Sequence, residues 1–112
     1  MNKYRNCKTV LDGICFDSKR EAERYAELNI LLKAGEIKDL ILQPKFELQG
    51  KFRCRDKNYP AITYKADFQY TEAATGKIVV EDVKGMETET FKLKKKLFLR
   101  KFGDTLDFRI VK

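Results

Sequence analysis

Histidine is absent from the chain, and its three cysteines, Cys7, Cys15 and Cys54, nowhere fall into C-x-x-C spacing. Structural zinc sites are assembled from these two residue types at short fixed intervals, so none is expected. An odd number of scattered thiols fits a reducing cytosol better than a disulfide-built scaffold. Long apolar runs are missing too. No stretch approaches the roughly 20 residues that cross a bilayer, and Met1–Asn6 lacks the apolar segment of a signal peptide. The expectation is a cytoplasmic protein with no membrane partner. No repeat, low-complexity tract or interdomain linker interrupts the sequence, so its 112 residues read as a single domain over 1–112.

What the chain has in excess is positive charge. Lysine and arginine number 24 against 17 acids, a formal net charge of +7. Such a surplus favours an anionic partner and suits a domain that follows nucleic-acid phosphates, although plain solubility would produce the same balance. The hydrophobic content of 43% is enough for a real core.

Apolar periodicity and turn chemistry divide the chain into elements. Lys8–Leu11 and Ile14–Phe16 flank Asp12-Gly13, a pair that supplies the positive φ angles of a tight hairpin turn. Ser18-Lys19-Arg20-Glu21 has capping-box spacing, and Ala22, Tyr25, Leu28, Leu31 and Leu32 recur at helical intervals until Gly35, predicting a helix over about 19–34. Residues 37–48 are strand-like, with Pro44 marking either an edge strand or a bend. Residues 49–60 are polar and basic, a hairpin end or a DNA-facing loop. Two strands follow, over 61–71 and 77–84, joined antiparallel through Ala74-Thr75-Gly76. Glu87-Thr88-Glu89-Thr90 begins a second helix with apolar Phe91, Leu97, Phe98 and Phe102, closed by Gly103. Asp107–Val111 alternates as a last strand. The fold class expected is α/β, a central mixed sheet flanked by helices with an N-terminal hairpin.

The chemistry-bearing residues gather on the two middle strands. Along the first, Ile62, Tyr64, Ala66, Phe68 and Tyr70 share one face at period 2, leaving Asp67 on the other with Thr63, Lys65 and Gln69. Along the second, Val80, Asp82 and Lys84 point one way and Val79, Glu81 and Val83 the other, which assigns Asp82 rather than Glu81 to the face of Lys84. Two carboxylates can hold a hard cation such as Mg²⁺, and a neighbouring lysine can orient water and stabilise transition-state charge in phosphodiester hydrolysis. An ordinary cross-strand charge cluster would give the same pattern.

Glu21 starts the inward stripe of the first helix, so it is either a third carboxylate of this site or only the capping-box acid folding back on Ser18. On the second helix Lys92, Lys96 and Arg100, with Lys95 alongside, form a basic stripe, a phosphate track or a solvated face. Thr88 and Thr90 suit a phosphate at the helix N-terminus or simple capping. The aromatic residues lie mostly on apolar faces, which speaks against a stacking platform for RNA.

Glu21 on the first helix, Asp67, and Asp82-Val83-Lys84 together resemble the PD-(D/E)XK nuclease superfamily, the restriction endonuclease-like fold. More closely, Ser18–Ala22, Leu42-Gln43-Pro44-Lys45-Phe46, Tyr64–Phe68 and Glu81–Gly85 resemble a group of small phage and prophage proteins described as a domain of unknown function, over nearly the whole chain. Ala66 stands where the superfamily's name has proline. The resemblance implies Mg²⁺-dependent DNA cleavage, with Mn²⁺ as a substitute. Asp67 and Asp82 would be metal ligands, the Val83 carbonyl a third, Glu21 a water-mediated one, Lys84 the residue acting on the nucleophilic water, and Gln43 an auxiliary polar group. Lys92, Lys95, Lys96, Arg100, Thr88, Thr90, Arg53 and Arg55 would contact DNA. The expected function is a structure-selective, Holliday junction resolvase-like endonuclease working as a homodimer. The alternatives are a restriction-like or nicking enzyme, or a non-catalytic DNA-binding phage protein.

Overall fold

A computed structural model of the chain describes residues 8–112. It is a mixed α/β fold. A hairpin of β1 (Thr9–Leu11) and β2 (Ile14–Phe16) comes first, followed by α1 (Lys19–Lys33). Asp12 and Gly13 both hold positive φ, 54° and 76°, as the two-residue turn requires. Ser18 caps α1 by accepting the Glu21 N–H at 3.1 Å, and Gly35 at φ 78° ends it.

Beyond α1 runs one long antiparallel ribbon. Its outgoing arm is β3 (Ile37–Leu42) and β4 (Lys45–Gln49), its tip is the hairpin of β5 (Phe52–Cys54) and β6 (Lys57–Tyr59), and its return arm is β7 (Ile62–Lys65) and β8 (Phe68–Glu72). Both arms break at the same level. Gln43, at φ 52°, and Pro44 interrupt one, and Ala66-Asp67 interrupt the other. The break stays stitched, because Gln43 N–H donates to the Asp67 carbonyl and Ala66 N–H to the Pro44 carbonyl, at 2.9 and 3.0 Å. Pro44 therefore marks a bend, one of the two roles its sequence context allowed.

A four-stranded mixed sheet holds the base of the ribbon, in the order β10 (Asp107–Val111), β9 (Ile78–Val83), β8, β3. The β9–β10 pair is parallel and the other two pairs are antiparallel. Helix α2 (Glu89–Phe102), capped by Thr88, connects β9 to β10. The two helices cover opposite faces. Val79 and Val83 of β9 join Phe16, Tyr25, Leu28 and Ile37 in one core with α1, whereas Val80 joins Phe91 and Phe98 of α2 in another.

The bend corrects the face assignment along residues 62–70. Tyr64 and Ala66 belong to the α2 core and Phe68 and Tyr70 to the α1 core, so the four do not share a face. A period-2 reading assumes an unbroken pleat, and the interruption at Ala66-Asp67 changes which side of the sheet the next even residue meets. Asp67 sits at that crossing point, half-buried, and is not on a plain polar face.

Cys15 is disulfide-bonded, while Cys54 is free and exposed. The odd count, taken as a sign of scattered thiols, did not anticipate that bond, since a count carries no information on spatial proximity. Cys7 and the Met1–Asn6 segment lie outside the described residues. Among the described residues no helix is long and apolar enough to cross a membrane.

Candidate active site

At the bend, Asp67 meets the C-terminal end of β9. Its Oδ2 accepts the Val83 N–H at 2.6 Å, and its own N–H donates to the Glu81 carbonyl at 3.0 Å. These two bonds tie Asp67 to both neighbours of Asp82. Val83 thus enters the site through its N–H, a different contact from the carbonyl ligation that the resemblance implies.

Asp82 is 2% exposed. The Tyr64 hydroxyl donates to its Oδ2, and Lys84 Nζ stands 3.6 Å from its Oδ1, an ion-pair distance that is too long for a hydrogen bond. Oδ1 is buried and has no hydrogen-bond partner among the described residues. A buried carboxylate oxygen in that state is costly. Lys84 also lies over the Phe91 ring, 4.8 Å from its centroid, so α2 holds the ammonium beside the acids.

Glu21 reaches the same place from α1. It is 8% exposed, accepts the Asp17 backbone N–H, and feels the charges of Asp82 and Lys84. The backbone amide it meets is that of Asp17, one residue before the Ser18 amide on which a capping-box acid would fold back, and its side chain also lies within the influence of the Asp82 carboxylate. Three carboxyls are pushed upward here, in each case first by burial. Asp67 rises to about 7, with the Val83 N–H pulling it down and Asp82 and Glu21 adding to the rise. Asp82 rises against Tyr64 and Lys84. Glu21 rises through burial and then through Asp17 and Asp82. The site is an under-neutralised anionic cluster with one lysine.

The donor set suits a hard divalent cation in a limited way. Among the described residues no group of three or more acidic, cysteine or histidine side chains stands close enough to hold a metal ion. Two carboxylates completed by waters are enough for Mg²⁺, and the unbonded Asp82 Oδ1 beside Asp67 is the oxygen such an ion would satisfy. Glu21 would then act through water.

An open cleft of about 270 Å³ leads out from Asp82 and Lys84, and Tyr64, Lys65, Thr88, Thr90 and Lys94 contribute to its walls. Thr88 and Thr90 are therefore at the site. Lys65 and Lys94 were not anticipated, nor was Tyr64, which the sequence pattern placed only in the core. Lys94 lies three residues after Phe91, a helical spacing that would have put it on the same side. Lys92, Lys96 and Arg100 lie exposed on α2, with Lys92 paired to Glu89 at 3.5 Å. Lys95 is committed to Glu87 at 2.7 Å. Gln43 touches the site through its backbone bond to Asp67. Arg53 and Arg55 sit far along the ribbon, on the tip hairpin and its turn, with Arg53 3.5 Å from Asp56.

Compared with known families, residues 1–112 match one family model, described as Protein of unknown function (DUF1064). No curated protein matches.

Proposed function

The chain belongs to the DUF1064 family, and we propose that it is a metal-dependent DNA endonuclease of the PD-(D/E)XK kind, with a restriction endonuclease-like fold. One observation carries the reading. Asp82 Oδ1 is buried without a hydrogen bond among the described residues, near a lysine and a second carboxylate whose pKa is raised to about 7, at the head of a cleft with basic walls. A structural charge cluster would be expected to satisfy its buried oxygens; one that receives a cation leaves them open.

The chemistry supplied by bound Mg²⁺, or Mn²⁺ in its place, is charge neutralisation at the phosphoryl oxygens and activation of water. Asp67 and Asp82 would hold the ion, and Glu21 would contribute through water. Tyr64 fixes Asp82 through its hydroxyl, and the Val83 N–H fixes Asp67. Lys84, kept beside Asp82 and over Phe91, orients the attacking water and offsets the charge that builds on phosphorus-bound oxygen. Lys65, Lys94, Thr88 and Thr90 bind the flanking phosphates, and Lys92, Lys96 and Arg100 continue the track along α2.

With recognition dominated by phosphate contacts, the enzyme selects DNA shape. A Holliday junction resolvase-like, phage-type enzyme, acting as a homodimer so that two strands are cut symmetrically, is the specific form of the proposal. A restriction-like or nicking enzyme would cut the component arms as readily as the junction. The test is incubation of labelled four-way junction, flap and duplex DNA with Mg²⁺ or with EDTA. Cleavage is expected only with the metal, and Asp67→Ala and Lys84→Ala should each lower it at least about 1,000-fold while DNA binding persists. Undiminished cutting by either variant overturns the assignment. A second reading, a non-catalytic DNA-binding protein, is favoured by the lack of a three-ligand group among the described residues. On that reading Mg²⁺ produces no binding heat and no thermal shift.

A further inference from the structure

The tip of the ribbon has an unusual surface. Among the described residues strands β5 and β6 pair only with each other, and all six of their residues are exposed. Phe52 and Tyr59 face each other across the hairpin, with rings stacked at 4.9 Å and an interplanar angle of 9°. They remain 47% and 38% exposed. Lys57 Nζ stands 5.3 Å from the Tyr59 centroid. Within residues 51–59 there are four cations, Lys51, Arg53, Arg55 and Lys57, and a single acid, Asp56, which is paired to Arg53. A hollow of about 510 Å³ opens beside the rings, bounded by Lys51, Arg53, Asn58 and Pro60.

We propose that this hairpin is a stacking platform for unpaired DNA bases, so that the substrate is DNA carrying a single-stranded or distorted segment next to the duplex that is cut. A cross-strand aromatic pair steadies a small hairpin, but steadying alone does not call for four cations within residues 51–59. Exposed π surface among cations matches a polyanion whose bases are accessible, because stacking accepts any base and the cations take the phosphates. Matched duplex hides its base faces in its own stack and offers the rings nothing. The reach is suitable: Tyr59 precedes Asp67 by eight residues, at most about 26 Å of extended strand, so a single DNA molecule spans both places. The proposal rests on the nuclease reading for the choice of DNA over another polyanion and for the cut in the adjoining duplex; the stacking surface stands on its own geometry.

The decisive measurement is binding in EDTA, where cleavage plays no part, by anisotropy with matched duplex and with the same duplex carrying a short unpaired segment that contains 2-aminopurine. Wild type should prefer the unpaired substrate by about tenfold or more and change the 2-aminopurine emission on binding. Phe52→Ala, Tyr59→Ala and Phe52→Leu should lose most of that preference while duplex affinity stays within about twofold, and Phe52→Tyr should keep it. The Leu variant retains apolar bulk and the Tyr variant retains the ring, so a collapsed hairpin and a lost π face give different patterns. Equal affinities in wild type, an unchanged preference in Phe52→Leu, or a preference for single-stranded RNA of the same sequence overturns the proposal. So does a change in molecular mass in place of a change in binding, which would make the rings a contact between two copies. Loss of the preference alone would leave the nuclease reading standing, whereas undiminished cutting by Asp67→Ala or Lys84→Ala would sink that reading and leave the preference for unpaired DNA, measured in EDTA, unaffected.

Discussion

Glu81 and Asp82 are consecutive on β9, both almost fully buried, at 1% and 2% exposure, and they face opposite helices. On the α1 side, Glu81 is completely neutralised. Arg24 donates from Nε to its Oε1 at 2.8 Å and from Nη2 to its Oε2 at 2.6 Å, and the Tyr70 hydroxyl adds a third bond. The bond to Glu81 also raises the Arg24 pKa further above its usual value, and burial followed by that same acid moves Tyr70 to about 12. On the α2 side, Asp82 has one hydroxyl, a lysine at 3.6 Å and an oxygen with no hydrogen bond. The difference separates two uses of buried charge. A pair that is closed on itself locks α1 to the sheet, and a cluster left open keeps a buried oxygen without a partner among the described residues.

The largest expected effect breaks the closed side. Arg24→Ala would strand Glu81 in the core with only Tyr70, at a cost of about 3–5 kcal/mol, which corresponds to a fall in melting temperature of roughly 10–20 °C. Cleavage per folded molecule should not change, because Arg24 lies on the other side of the sheet. Arg24→Met combined with Glu81→Leu should recover most of the loss, since an apolar pair of similar volume needs no compensation. Urea denaturation measures both. A loss under about 1 kcal/mol for the single variant would show that the pair does not lock the helix.

The open side predicts a pH dependence of the opposite kind. Asp67 titrates near 7 in the native state against 3.8 unfolded, and Asp82 and Glu21 shift in the same direction. A raised carboxyl means that the native state binds the proton more tightly. Its contribution to stability is therefore full below about pH 4 and is lost as pH rises through 7. The metal-free protein should lose about 2 kcal/mol between pH 5 and pH 8, allowing for solvent screening of the half-exposed Asp67. Asp67→Asn should flatten that slope, and millimolar Mg²⁺ should restore stability only on its alkaline side. A flat profile by calorimetry in wild type would remove the contrast with Glu81.

Local rules were readable where they depend on neighbours in sequence. Asp12-Gly13, the Ser18 cap and the Thr88 cap sit where their chemistry requires, and alternation on β9 correctly set Asp82 and Lys84 against Glu81. Arg24 shows what was not readable. Helical spacing reaches Glu27, which it does bond at 3.0 Å, but its main partner lies 57 residues away on β9. The bend at Gln43-Pro44 and Ala66-Asp67 was visible on one arm only, through Pro44. Its effect on the other arm, moving Tyr64 to the α2 side where its hydroxyl finds Asp82, depends on cross-strand pairing that no single strand encodes.

Tyr64 gives the smallest and most specific effect. Its hydroxyl donation is the leading influence holding the Asp82 carboxyl down against burial. Tyr64→Phe removes one hydrogen bond and leaves the ring among Phe46, Phe91 and Phe98, so stability should fall by only about 1 kcal/mol. The loss is partly offset because an Asp82 freed of its donor can take up a proton. If the ionised Asp82 is what holds the ion, that same proton must leave before cleavage. The acidic limb of the rate profile should then move to higher pH, so that cleavage falls more at the acidic end of the profile than on its alkaline plateau. A uniform loss across the pH range would reduce Tyr64 to packing, whereas a displaced limb would tie the open carboxylate on β9 to the reaction itself.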